Sequence, residues 1–304
     1  MKLNPIYKGI LYTSIASFFW GLPQPIYFNE IKFIPAIELV SHRALWSFIF
    51  LFFIILLIGK IKEFFEIFYD KVKILYLSIT GLLIACNWSC FIFAININRL
   101  QDASMGYYIS PIITIALGYI FLKEKISKLK FISLLLMIFA ILFLLISIKT
   151  LPYIAIFIAV TWSVYGLIRK KIKTSSEIGL LFESGFIGIF ALSYLSYLYF
   201  FGDGYFLKHT NSTNLLLIFT GAITVFPLFF FVMGVKFVSL GLAGVIFYLA
   251  PTFHFITSII IFKEELNNFK LISFFIIWIA VIIFIFDNLK EGKKINENNT
   301  QLLN

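Results

Sequence analysis

Ten membrane-spanning helices, arranged as two inverted five-helix repeats with both termini in the cytoplasm, are what this chain of 304 residues leads one to expect. Three observations carry the expectation. The composition is 61% hydrophobic and only 13% charged, with a mean hydropathy of +0.98, so no aqueous surface can be built from it. The apolar runs have the length of spanning helices and do not alternate, which excludes a barrel. Finally, the second half of the sequence repeats the first.

The expected spans are 8–28, 36–58, 73–95, 103–122, 130–148, 152–169, 177–200, 214–236, 241–262 and 269–288. Each holds about 20 mostly apolar residues, enough to cross the hydrocarbon core. The first follows Lys2 and Lys8 as a signal peptide would, but it is too long and lacks a small-residue cleavage site. The links are short. The polar tail 289–304 is expected to be disordered cytoplasmic chain. A net charge of +10 would point to nucleic acid in a soluble protein; here it follows from orientation. With the N-terminus inside, 18 Lys and Arg fall on cytoplasmic pieces and 6 outside, with Arg43 inside a span. No nucleic-acid partner is implied. Cys86 and Cys90, four apart on an apolar run, read as packing residues.

Residues 106–140 align without a gap to 246–280, an offset of 140. Tyr108, Pro111, Lys123, Glu124, Lys130 and Ser133 meet Tyr248, Pro251, Lys263, Glu264, Lys270 and Ser273. Upstream, Thr80-Gly81 meets Thr220-Gly221. The repeat unit holds five spans, an odd number, so tandem copies lie in the membrane with opposite orientation. Units 1–148 and 152–288 then form the inverted pair typical of secondary transporters, whose site sits between the halves.

Ionisable groups inside the spans mark candidate positions, because each is costly in lipid unless it faces the bundle interior or a water-filled cavity. Glu38 and His42 share one face of the second span; Arg43 lies one position on, about 10 Å below the outer end. These three are expected to face an outward-opening cavity. Arg43 suits either of two roles: a fork for a carboxylate or other planar acceptor, or a lock on carbonyls of neighbouring helices. His42, biased by Glu38, suits proton coupling. Glu183 in span seven aligns opposite His42 as its counterpart in the other half. Pro111 and Pro251 are expected to break spans four and nine at matching positions, with His254 beside the second break. Asn87, Trp88, Asn96, Tyr107, Tyr108, Trp20, Trp162, Tyr165 and Tyr248 complete the candidate lining of the pathway. Lys123-Glu124 and Lys263-Glu264 at span ends read as interfaces and gates.

Several motifs now carry a resemblance. They are Trp20-Gly21, His42-Arg43-x-x-Trp46-Ser47, Asn87-Trp88 with Asn96, Gly106-Tyr107 with Pro111, Tyr165-Gly166 with Arg169-Lys170, and Tyr248-Leu-Ala-Pro251-Thr252. With them the chain resembles the drug/metabolite transporter superfamily, EamA-like branch, and within it the RarD group of chloramphenicol-sensitive permeases, over residues 8 to 288. The resemblance implies a bacterial inner-membrane secondary transporter that moves a small metabolite or drug by alternating access, as export driven by protons or exchange. A uniporter or lipid-type carrier is the alternative. His254 stands where the pattern has glutamine, and Phe93 where it has tryptophan. No phosphate-binding loop or metal-ligand cluster is visible, and the set lacks a nucleophile, so neither cofactor nor catalysis is expected.

Overall fold

The computed structural model describes residues 4–96, 100–146, 153–261 and 268–301. It is helical, with no strand among the described residues. Helix α1 (Pro5–Gly21) opens on Pro5, with Asn4 Oδ1 accepting from the Ile6 N–H at 3.0 Å. Pro23 and Pro25 have no N–H to offer the carbonyls of Phe19 and Gly21, so α1 stops and α2 (Pro23–Glu30) restarts beyond Leu22. Next come α3 (Ala36–Leu57), the short α4 (Ile61–Glu66) with a 3-10 turn over Ile67–Tyr69, α5 (Lys71–Asn96), α6 (Leu100–Leu122), α7 (Lys128–Ile146) and α8 (Tyr153–Lys171). The chain continues through α9 (Ser176–Phe201), α10 (Asn211–Phe237), α11 (Leu240–Ile246), α12 (Leu249–Ile260) and α13 (Asn268–Gln301).

Eight of these helices, α3, α5 to α10 and α13, are long and apolar enough to cross a membrane. The first and ninth expected spans are instead divided, into α1–α2 and α11–α12. The paired breaks expected at Pro111 and Pro251 are corrected: α6 runs through Pro111 without interruption, and the ninth segment divides at Phe247–Tyr248, ahead of Pro251. Pro251 sits in the first turn of α12, where a missing N–H leaves no bond unmade. In α6 the Tyr248 hydroxyl donates to the Tyr108 carbonyl at 2.9 Å, tying the ninth segment to the helix that carries Pro111. The expected disorder of the tail is also corrected, because α13 continues to Gln301. That stretch holds no proline, and its Lys and Glu are fair helix formers. Helix α4 was absent from the expectation, since six residues are too few to span; its Phe65 and the following Phe68 and Tyr69 are exposed.

Polar side chains fix the ends of several helices. Asp70 accepts from the N–H groups of Val72 and Lys73 at the start of α5, both at 3.1 Å, and the Lys73 bond holds its carboxyl below its ordinary value. Glu124 accepts from Leu240 N–H at 2.6 Å and Gly241 N–H at 3.1 Å, so the end of α6 caps the start of α11. Cys86 and Cys90 are free thiols.

The packing of elements repeats when each segment of the first half is exchanged for its equivalent in the second. Helix α3 packs on α9, and α7 on α13. The pair α1 and α10 is answered by α8 and α5, α3 and α10 by α9 and α5, and α6 and α8 by α12 and α1. Burial repeats too. Ser133, Met137, Ala140, Ile141 and Leu144 are buried, as are Ser273, Ile277, Ala280, Val281 and Phe284, each 140 residues on. The opposite faces of α7 and α13 expose large apolar side chains such as Phe139, Leu142, Ile282 and Phe286, as lipid contact requires. Small residues mark the tight crossings. A Cβ on Gly21 would lie 2.6 Å from the Ala250 carbonyl oxygen, and one on Gly221 only 2.5 Å from the backbone of Trp46.

Candidate functional site

Arg43 is held at the seam between the halves. Its helix, α3, presents it toward α10, α5 and α2. The Nε–H donates to Thr224 Oγ1 at 3.0 Å. The guanidinium lies 4.8 Å from the Phe28 ring and 4.3 Å from the Trp88 ring, so aromatic faces cover the cation where no water can. Among the described residues its Nη atoms donate no hydrogen bond. The side chain is 3% exposed.

His42 and Glu38 turn away from Arg43, toward α9 and the loop before α10. The common cavity expected for all three is not formed: Glu38 and His42 line a cleft that Arg43 does not reach, because one residue step rotates the side chain by about 100°. Trp46 Nε1–H donates to His42 Nδ1 at 3.2 Å, so a neutral His42 carries its proton on Nε2. That atom is buried, 3.9 Å from Glu38 Oε1, and has no hydrogen-bond partner. Glu38 Oε1 accepts instead from the Tyr205 N–H at 2.6 Å. Phe206 packs on both His42 and Trp46. A cleft of about 230 Å³ runs beside the pair, lined by Glu38, His42, Trp46, Ser196, Tyr199 and Phe206 among others.

Deeper in the bundle the aromatic candidates form one cluster. Trp162 packs edge-on against Trp20 at 5.0 Å and stacks with Tyr165 at 5.6 Å and Phe247 at 5.3 Å. Tyr107 joins through Phe247, and His254 lies 6.2 Å from Tyr107. His254 Nε2 is 2.9 Å from the Trp20 carbonyl, which can only accept, so the proton sits on Nε2. Thr257 Oγ1 donates to the Phe253 carbonyl at 2.7 Å and shares that proton with the Gly21 carbonyl at 3.4 Å, the acceptor left open by Pro25. His254 thus secures the broken end of α1. Asn87 donates to the Ile158 carbonyl and to Thr161 Oγ1, both at 2.9 Å, and ties α5 to α8. Tyr248 and Tyr108 meet at the seam already described. The side chain of Asn96 lies outside the described residues, as do Lys263 and Glu264.

Glu183 does not pair with His42 or Arg43. Its Oε1 lies 3.3 Å from Arg169 Nη1 and accepts from Thr80 Oγ1 at 2.5 Å; Tyr165 OH is 3.4 Å from Oε2. Gly81 packs against Phe186 and Glu183 of α9, and Gly221 against Trp46 of α3. Arg169 was expected among the cytoplasmic loop cations and is instead 1% exposed, donating also to the Ser176 carbonyl at 3.0 Å. Sequence reasoning thus missed Arg169, Thr224, Thr80 and Phe28. Two of these had a signal: Arg169 is one of three arginines among many lysines, and Thr80 belongs to the repeated Thr-Gly pair.

Comparison with known proteins follows the same lines. The family model described as "EamA-like transporter family" matches twice, over residues 7–146 and 151–286. An "Uncharacterized transporter" of Vibrio cholerae is 34% identical, covering 94% of both chains. "Protein RarD" of Escherichia coli is 32% identical, over 92% of this chain and 94% of its own. "Uncharacterized transporter YojE" of Bacillus subtilis is 31% identical over 93% and 95%. A solved crystal structure at 15% identity shares the fold, with a TM-score of 0.70 over 92% of this chain and 98% of its own. The apolar helices and the bacterial relatives make this a multi-pass protein of the inner membrane. Membrane-embedded, duplicated in its match and homologous to RarD-type permeases, the chain belongs to the EamA-like transporter family.

Proposed function

We propose that this membrane transporter of small molecules is a secondary carrier working by alternating access, exporting a metabolite or drug in exchange for protons or another solute. Its ten spans form two inverted five-helix repeats with both termini cytoplasmic, and the halves rock about the seam. The twofold family match, the exchange symmetry of the packing and the Lys/Arg bias support this reading.

One observation carries the solute site: Arg43 is buried at the seam, fixed by Thr224 and two rings, with its Nη edge unpartnered among the described residues. A buried guanidinium so arranged is built to receive a carboxylate or another planar acceptor. Trp20, Trp88, Tyr107 and Trp162 supply the aromatic surroundings. His42 with Glu38 forms a separate proton site on the other face of α3. Charging His42 would set a second N–H against the Trp46 indole donor, so the proton and that bond exclude one another.

The test is binding by purified protein across amino acids, nucleosides, polyamines and chloramphenicol, for wild type and Arg43→Ala, followed by flux in sealed liposomes. Loss of one charged partner of a desolvated pair costs about 2–5 kcal/mol, so a solute held by Arg43 should weaken by more than tenfold in the variant. Equal binding by both proteins would make Arg43 a structural lock and move the site toward Asn87, Tyr107 and His254. A second reading, a lipid-type carrier, is favoured by the cleft beside His42, whose lining is largely apolar and includes the exposed Leu192, Tyr199 and Phe200.

A further inference from the structure

A second cavity lies far from Arg43, where α8 ends, α9 begins and α10 ends. Its volume is about 420 Å³, and its lining is Lys170, Ile172, Lys173, Thr174, Ser175 and Lys236. Three cations face a space bounded by no carboxylate. Of the neighbouring acids, Glu177 pairs with Lys60 at 2.6 Å while also attracting Lys236, Glu183 pairs with Arg169 at 3.3 Å, and Glu124, near Lys170, accepts from the Leu240 N–H at 2.6 Å. Two of the amines are anchored. Lys170 Nζ donates to the Val235 carbonyl at 2.7 Å and to that of Val238, and Lys236 Nζ donates to the Thr174 carbonyl. Lys173 is exposed and makes no hydrogen bond among the described residues.

The hydroxyls make the chemistry specific. Thr174 Oγ1 and Ser175 Oγ are both buried without a hydrogen-bond partner. Such donors are costly to leave unmade. Ser175 is the N-cap of α9, yet its side chain makes no capping bond. Of the first N–H groups of this 26-residue helix, that of Glu177 bonds to its own carboxylate, and the helix dipole adds positive potential at the same point. Lysines and free hydroxyls converge on a ligand that brings negative charge and several acceptor oxygens.

We propose that this cavity binds a phosphoryl anion, either the phosphodiester of an anionic lipid headgroup or a free phosphate. The inference does not depend on the solute or mechanism of transport. Its position at the rim of the helices suits a headgroup, as basic pockets between spanning helices commonly do.

Full-length protein in neutral detergent is titrated at fixed ionic strength with inorganic phosphate, with dihexanoyl phosphatidylglycerol and with dihexanoyl phosphatidylcholine. Binding is read as the shift of the thermal unfolding midpoint and as adducts in native mass spectrometry. Phosphatidylglycerol should bind and phosphatidylcholine should not, with phosphate competing. Lys173→Ala should weaken the anion about fivefold, the worth of one surface cation, and leave the ligand-free midpoint unchanged. Ser175→Ala should weaken it as well, and serves if Lys173→Ala folds poorly. Binding of phosphate without phosphatidylglycerol upholds the site and names a soluble source. Equal binding of both lipids, no binding of either anion, or unchanged affinity in both variants overturns the proposal.

Discussion

Arg169 and Glu183 show what a single buried pair decides. Each is at most 2% exposed, and Thr80 and Tyr165 supply the remaining contacts to the carboxylate. Removing one partner leaves the other charge stranded. Arg169→Met alone should lower stability by about 3–5 kcal/mol, whereas Arg169→Met with Glu183→Leu should lose much less, because desolvated pairs gain little over apolar isosteres. Equilibrium unfolding in mixed micelles measures both. The two buried arginines differed in how far their sequence betrayed them. Arg43 was legible because, with Glu38 and His42, it interrupts an otherwise apolar run. Arg169 was not, because beside Lys170 and Lys171 at a helix end it looks like a cation reaching the interface. Its burial depends on room given by another helix: a Cβ on Gly179 would lie 1.9 Å from Arg169 Nη1. No local pattern records such a vacancy.

At the scale of elements, the broken first segment is stabilised by α12. Gly21 lets the two helices touch, and His254 and Thr257 take the carbonyls of Trp20 and Gly21. Gly21→Ala should therefore cost about 1–3 kcal/mol through overpacking. Gly188→Ala, whose new Cβ would meet nothing closer than 4.0 Å, should be neutral or mildly stabilising in the same unfolding assay. The eight long helices were readable from length and apolarity. The division at Phe247–Tyr248 was not, since neither residue is a helix breaker. It follows from tertiary contacts: Glu124 caps α11 from the link after α6, and Tyr248 is drawn to the Tyr108 carbonyl. Pro111, the stronger local signal, is carried inside α6 without a break.

Across the whole molecule, the offset of 140 residues was visible in the sequence and returns in which side chains are buried along α7 and α13. The proposed orientation gives a direct prediction. In a background with Cys86 and Cys90 replaced by alanine, Lys208→Cys should react with an impermeant maleimide added to intact cells, and Lys62→Cys should react only after lysis. The reverse pattern would invert the topology. What the sequence could not convey at this scale was which helices flank α3, and therefore what Glu38 and His42 on one face and Arg43 on the next would meet.

The bonds that close the break in the first segment come from residues 234 and 236 positions away. The two halves are therefore linked in their inheritance as well as in space. A lineage that regained a continuous first helix, by losing Pro23 and Pro25, would release His254 and Thr257 from their duty; one that lost His254 or Thr257 first would strand a carbonyl in the bundle. Among relatives, replacements at these four positions are expected to occur together, and hybrids that join the first half of one homologue to the second half of another are expected to fail where the pairs no longer match.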